Sequence, residues 1–458
     1  MYISLDWISD YVDLAGLDVP TITNRLTLAT AEVEGTKTIR RFVKGVLIGE
    51  IKTVEKLSEK LTFCQVDTGK KTYTTVCGAS NVRVGLKVPF APEDVLLAGN
   101  RKVETVEMSG KVSQGILCSA AELGLSDWHE ILLECPDSIS VGEPLEKYIP
   151  ETDTLVEIDN KSLTHRPDLW GHYGFAREFA AIFGRKLKPL PTIDLSAFDS
   201  LPAYPLINED YENCPCYGCI EFQTQGTIPS PLYIQRRLHA LGMRSHNLLV
   251  DVTNYVNWEI AQPTHAFDAE KLGGIRVATL GKSAEFTTLD GQTRKLLAED
   301  LLIWGTTQTM PPLPEGKGSL TPVALAGVMG GLETEVTATT TRLLLESANF
   351  KAARIRRTSG RLDLKTDASQ RYEKSQPPSN VKVGIARILK LIEDSSTDMK
   401  VLSRFTCDGN LQEEIRYIDI PTERLERLAG IVMSPERITQ ILESLGFEVQ
   451  WQGTSHAS

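Results

Sequence analysis

The chain has 458 residues, 41% of them hydrophobic, and a formal net charge of -11. At roughly 100 to 200 residues per domain that length predicts about three domains, and the acidic balance excludes a molecule coated in basic residues while leaving room for a local basic stripe. No run reaches the roughly 18 apolar residues of a membrane span, and Asp6, Asp10 and Asp13 stand where a signal peptide needs a basic start and an apolar stretch. Eight irregularly spaced cysteines read as reduced intracellular thiols rather than a disulfide framework.

Residues 1–40 predict a short helix pair, with Ile22, Leu26 and Leu28 at near-helical spacing. From Val43 to about Leu125, GVLIGEIKTV, LTFCQVDTG, TYTTVCGAS, LKVPFAP and GILCSAAELGL are short strand-like segments separated by glycine, the pattern of a small barrel. In DNKSLTHRPDLWGHYGFAREFAAIFGRKL, Phe175, Ala176, Phe179, Ile182 and Phe183 share one helical face. Packed back on the opening helices, that face makes the barrel an insertion in a discontinuous first domain. KPLPTIDLSAFDSLPAYP is proline-punctuated and reads as a linker.

From Cys216 to Asp394, YIQRRLHALGM and SNVKVGIARILKLIED are helical while IRVATLG and LLIWGTT are strand-like, which predicts one large α+β domain. The close spacing of Cys214, Cys216 and Cys219 suits a metal, but a zinc site needs a fourth ligand, and His239 and His246 do not supply a downstream pair. TERLERLAG and SPERITQILESLG read as helices, the second with Ser434 as N-cap, Pro435 at the first helical position and Gly446 as the stop. With a strand at FEVQW they begin a small domain that the chain does not finish.

Three stretches of the large domain can carry chemistry. VTNYVNWEIAQPTHAFD supplies Thr253, Asn254, Glu259 and His265, and ALAGVMGGLETEV supplies Gly327, Gly330 and Gly331 for close backbone approach. LLLESANF and RIRRTSGRLDLKTDASQRYEKS place Glu346 at the end of an apolar strand, with Thr366, Asp367 and Ser369 beyond a run of arginines. Each has a plainer reading: His265 as a packed ring, the glycines as a tight turn, Glu346 as a solvated strand edge. Arg354, Arg356, Arg357, Arg361 and Arg371 suit either a solvated face or a phosphate backbone. The residue pattern alone stops at a soluble protein with a small barrel and a large α+β domain bearing a polar pocket.

Nearly the whole chain resembles the bacterial phenylalanyl-tRNA synthetase β subunits. VCGASNVRVGLKVPFAP with GILCSAAELGL resembles their inserted oligonucleotide-binding (OB) domain, and THRPDLWGHYGFARE the element that follows it. TNYV, QPTHAFD, AGVMGG, LLLESANF and KTDASQRYEKS then occur in the order and approximate spacing of the family's editing domain. The resemblance implies a multidomain α+β chain: an N-terminal domain from 1–40 and 148–190, an OB-fold tRNA-binding domain at 41–147, an editing domain at 205–398 and the incomplete start of a small helical domain at 400–458.

The same resemblance implies hydrolysis of tyrosine wrongly esterified to the tRNA for phenylalanine. It places His265, Glu346, Thr366 and Ala368 in the editing pocket, with Thr253, Asn254 and Gly330 lining it, and gives no metal ligand in this chain. It further implies an α subunit in an α2β2 tetramer, tRNA(Phe) as partner, ATP and Mg2+ for the whole synthetase with the synthetic site on α, and a cytoplasmic location. Two departures stand out: Arg371 to Pro378 reads RYEKSQPP where the family has a sequence like RFERGVDP, and EKLSEKL replaces a His-Pro-Asn-Ala-Asp-like turn. The family also continues through further modules after the point where this sequence ends. A free-standing editing hydrolase and a non-catalytic tRNA-binding remnant are the alternative readings.

Overall fold

Three strands drawn from two distant parts of the chain open the fold: Tyr2–Ser4 and Val33–Arg40 flank Thr152–Ile158 in an antiparallel sheet. The computed structural model describes residues 1–306, 320–337, 339–395, 398–412 and 415–452. Where the sequence predicts a helix pair over 1–40, there is a strand, a four-residue helix Leu5–Ile8, a helix Val19–Ala29 and a second strand. The strand Val33–Arg40 escapes a pattern-based reading because it has no buried residue, and its conformation comes from pairing with a segment more than a hundred residues away. Asp18 caps the helix Val19–Ala29 by accepting from Thr21 N–H.

The helix His172–Phe183 returns to this sheet, with Phe175, Ala176 and Phe179 in one core with Trp7, Ile8, Ile22 and Leu26. Gly184 stops it in the left-handed conformation at φ 61°.

Between the two halves of that first unit, Gly115–Leu117, Lys87–Pro92, Leu47–Lys56, Thr62–Asp67 and Thr72–Cys77 pair in that order, all antiparallel. Gln114 N–H donates to Thr74 O and Thr75 Oγ1 to Gly115 O, both at 2.7 Å, so the sheet curls until its two edges are joined. Inside lie Ile51, Cys64, Val66, Val88, Phe90 and Leu117. Of GILCSAAELGL only the first three residues are strand.

The larger remaining part stacks two sheets. In the first, Thr264–Asp268, Arg342–Asn349 and Cys216–Gln223 run antiparallel, with Lys400–Val401 and Thr406–Gly409 beyond the last. Side chains alternate between its faces. Ile220, Phe222, Ala266, Leu343 and Leu345 face the helices Leu248–Ile260 and Asn380–Ser395, and this core is continuous with that of the opening helices. Tyr217, Cys219, Phe267, Leu344 and Ala348 point the other way, onto a second sheet ordered Leu206–Asn208, Ile275–Thr279, Leu301–Thr306, Leu320–Leu325 and Met329–Gly330.

The proline-punctuated segment before this unit is laid against it: Leu195 is buried and Ile193 N–H donates to Ala386 O at 3.2 Å. After the sheets come the helices Thr422–Ala429 and Pro435–Ser444, the second capped by Ser434, whose side chain accepts from Arg437 N–H. The predicted strand FEVQW is not one. Phe447 and Trp451 are exposed, and among the described residues no strand lies beside them to accept a ladder bond. The end of the segment predicted as a small domain, 453–458, lies outside the described residues.

Candidate functional site

The register of the first sheet sets His265 directly opposite Glu346 and Glu346 directly opposite Cys219. Residues so paired share a face. Glu346 is therefore not a solvated strand end as the sequence suggests: it sits in the middle of Arg342–Asn349 and is 5% exposed. The run Leu343, Leu344, Leu345 misleads because this strand is covered on both faces, which erases the alternation that would have marked its centre.

Among the described residues no protein group hydrogen-bonds the buried Glu346 Oε2 or the buried hydroxyl of Tyr217, which stand side by side on one face. Burial pushes the Glu346 carboxyl up to about 8, opposed only by Tyr217. The phenol of Tyr217 is raised by its own burial and by the Glu346 charge. A carboxyl in this state is neutral near pH 7, and presents one O–H donor and one carbonyl acceptor.

His265 stands half-buried beside it, edge-on to Phe267 with ring centres 4.5 Å apart. Neither ring nitrogen hydrogen-bonds a protein group among the described residues, and burial lowers the imidazole to about 4, so it too is uncharged at neutral pH. The ring leans on Gly330, where a Cβ would lie 2.9 Å from both Cε1 and Nε2. Glycine is required there by that approach, since any side chain would push the imidazole out of place.

Thr366 and Ala368 arrive from a different direction. Thr366 caps the short helix Asp367–Tyr372 in a reciprocal box with Ser369, accepting from Ser369 N–H at 3.1 Å while its own N–H donates to Ser369 Oγ at 2.9 Å. Its hydroxyl also donates to Val328 O at 2.8 Å, tying the helix start to the turn that presents Gly330. Ala368, half-buried, packs on the core of the second sheet. Tyr372 anchors the end of this helix by donating to Pro263 O at 3.0 Å, next to the His265 strand.

Thr253 and Asn254 belong to the helix Leu248–Ile260 on the opposite face of the sheet, and the Thr253 hydroxyl is used by Val250 O at 2.7 Å. Asn254 is one turn before Trp258, whose ring is stacked by the Arg371 guanidinium at 4.3 Å. The fold therefore brings His265, Glu346 and Gly330 together and leaves Thr253 and Asn254 on the other side of the sheet.

Most of the arginine run is engaged by protein groups. Arg371 is buried and donates to Trp170 O, Arg361 pairs with Asp300, Arg354 donates to Asn213 Oδ1 and Arg356 to Glu373 O. The cysteines do not converge, because residues three apart on a strand point to opposite faces: Cys219 looks toward Glu346, and Cys216 toward Cys407. Among the described residues no three His, Cys, Asp or Glu side chains gather in a way that would hold a metal ion. Tyr217 is the site residue that sequence reasoning missed. Its signal was the same parity, odd-numbered positions 217 and 219 facing Glu346, hidden by reading the segment as a cysteine cluster.

Two family models match the chain. Residues 213–397 fit the B3/4 domain and residues 46–144 a putative tRNA binding domain. Curated phenylalanine–tRNA ligase beta subunits are similar along 98% of the chain: that of Solibacter usitatus at 36% identity, and those of Desulfotalea psychrophila and Bacillus subtilis at 33% each. The chain spans about half the length of these relatives, 55%, 54% and 55% respectively. An N-terminal fragment of the phenylalanyl-tRNA synthetase beta subunit from Pyrococcus horikoshii aligns over 66% of this chain and 79% of its own, at 13% identity and a TM-score of 0.32, too low to speak for a shared fold.

Proposed function

Because the chain belongs to the family of phenylalanine–tRNA ligase beta subunits, we propose that the space between its two stacked sheets is an editing site that hydrolyses tyrosine wrongly attached to the tRNA for phenylalanine. The observation that carries this reading is the buried Glu346 Oε2 left without a partner on the face it shares with His265. A tyrosyl side chain brings the one group that phenylalanine lacks, a hydroxyl able to pair with that oxygen. A site built to hydrogen-bond a substrate hydroxyl rejects the analogue without it by about 10⁴ to 10⁵, because the buried polar group is otherwise left unpaired.

Hydrolysis needs a water held on the ester carbonyl and donors for the oxyanion that forms. The uncharged imidazole of His265 holds the water through a ring nitrogen that has no protein partner; lowered to about 4, it is a weak base and acts by orientation. The first-turn N–H groups of Asp367 and Ala368, which no helical carbonyl reaches, face the oxyanion, with Thr366 fixing the turn that carries them. Gly330 keeps the ring in place.

The wider reading follows from the family. Residues 1–40 with 148–190 form a discontinuous first domain, 41–147 an OB-fold that holds tRNA, 205–398 the editing domain and 400–458 the start of a small helical domain. The chain works with an α subunit in an α2β2 synthetase in the cytoplasm, where the α subunit carries the ATP- and Mg2+-dependent joining of phenylalanine to tRNA. No helix among the described residues is long and apolar enough to cross a membrane.

The test is release of tyrosine from mischarged tRNA(Phe), beside release of phenylalanine from the correct product, by the chain and by its His265→Ala variant. Selective release of tyrosine, slowed in the variant, supports the reading. Equal release of both, or none, would overturn it.

A further inference from the structure

A second polar cavity lies where the barrel segment meets the helix Leu232–Ala240 and the segments 227–230 and 244–247 on either side of it. It has a volume of about 350 Å³, with Arg83 and Trp128 on the barrel side and Gln235, His239, Arg244 and Ser245 on the other. That is room for one small organic molecule.

Its polar groups are unevenly satisfied. Gln235, 5% exposed, donates from Nε2 to Glu134 O at 2.8 Å and to Ser230 O at 2.6 Å, which fixes the amide with Oε1 as its remaining acceptor. His239 is 7% exposed and its Nδ1, buried, has no hydrogen-bond partner. Its ring lies 5.4 Å from that of Trp128, and the exposed Arg244 guanidinium lies 5.9 Å from the same ring. Arg83 is held by Glu134 at 2.6 Å, whereas Arg244 makes no ion pair among the described residues.

Planar side chains for stacking, a buried imidazole nitrogen without a partner beside an amide oxygen left to accept, and a guanidinium without an ion pair among the described residues at the rim suit a single molecular unit: a flat heterocycle with an amino group, joined to an anion. Unstacked nucleotides are recognised in this way, by stacking on aromatic and guanidinium planes and by hydrogen bonds to the base edge. We propose that this cavity receives one unstacked nucleotide with an amino-bearing base from a single-stranded stretch of RNA. RNA is favoured over a free nucleotide because one wall comes from residues 46–144, the segment matching a putative tRNA binding domain. The site stands apart from Glu346 and does not rest on the hydrolytic reading of that face.

The experiment is equilibrium dialysis of the chain against AMP, UMP, an adenine- and cytosine-containing RNA tetranucleotide, and a uridine-only tetranucleotide. The variants are Arg244→Ala, His239→Leu and Glu346→Ala, each checked for folding by thermal unfolding. The mixed tetranucleotide should bind at least about tenfold more tightly than AMP and than the uridine-only strand, and both Arg244→Ala and His239→Leu should weaken it about tenfold, the worth of one charge-assisted or buried hydrogen bond. Glu346→Ala should leave it unchanged, which separates this proposal from the editing reading. The Arg244 side chain is exposed, so its variant still decides the matter if His239→Leu fails to fold. AMP binding more tightly than the RNA would overturn RNA as the occupant. No binding at millimolar concentration, or binding indifferent to Arg244→Ala, would overturn the site.

Discussion

Glu259 and Glu346 are both buried carboxyl groups, one on the helical side of the first sheet and one on the side facing the second, and their surroundings are opposite. Glu259 accepts from Arg387 Nε at 2.7 Å and Nη2 at 2.8 Å, and from the Tyr11 hydroxyl. Glu346 is 5% exposed against 0% for Glu259, and among the described residues its Oε2 has no partner. Two imidazoles repeat the contrast: His172 Nδ1 donates to Trp258 O at 2.8 Å and its Nε2 accepts from Ser4 N–H at 3.0 Å, while His265 has neither bond. Where burial comes with completed pairing, the group joins the N-terminal unit to the helices. Where burial comes with open valences on a shared face, the proposed editing reaction gives the group a ligand to meet.

The comparison breaks most visibly on the paired side. Arg387→Met strands the Glu259 carboxylate in the core, and should cost about 3 to 5 kcal/mol in urea unfolding. If it costs no more than a surface substitution, Glu259 is not the structural carboxyl described here.

On the unpaired side, stability should move with pH in the direction set by a raised carboxyl. The unfolded carboxyl releases its proton near 4.5 and the folded one near 8. Between these values the native state binds the extra proton, so the group favours folding less as pH rises, with the full penalty present above about 8. Measured against Glu346→Gln, which has no such proton, the wild type should lose about 2 kcal/mol of relative stability from pH 5 to pH 7. A constant difference would mean that Glu346 is not buried without a partner in solution.

Smaller effects sharpen the geometry. Gly330→Ala puts a methyl against the His265 ring and should cost about 1 to 2 kcal/mol, with a larger fractional loss of hydrolysis than of stability. Thr366→Ala removes both the cap and the bond to Val328 O, and should cost about 1 kcal/mol in thermal unfolding. Equal loss of activity and stability in Gly330→Ala would assign that glycine to packing alone.

Much of this was legible in the sequence where periodicity is local. The helices over YIQRRLHALGM and SNVKVGIARILKLIED, the Ser434 cap and the strands LTFCQVDTG and TYTTVC stand where spacing and punctuation put them. Val33–Arg40 was not legible, because no buried alternation marks it, and neither was the central position of Glu346, because a strand covered on both faces has no polar rhythm. Partnership was the harder thing to read. His172 and His265 both stand among apolar residues in sequence, and only the fold shows that one ring has both nitrogens engaged. The arginine run likewise offers no sign in sequence that Arg371 is buried against Trp258.

The central claim is that Glu346 was left unpaired for a tyrosyl hydroxyl, and the ratio of single-turnover hydrolysis rates for tyrosyl- and phenylalanyl-tRNA(Phe) tests it most directly, in wild type, Glu346→Gln and Glu346→Leu. The neutral amide keeps a donor and an acceptor and should retain most of the discrimination at pH 7. The leucine variant should lose it by roughly a hundredfold or more, falling to what an apolar pocket achieves. A leucine variant that still prefers tyrosine as strongly as wild type would contradict the account.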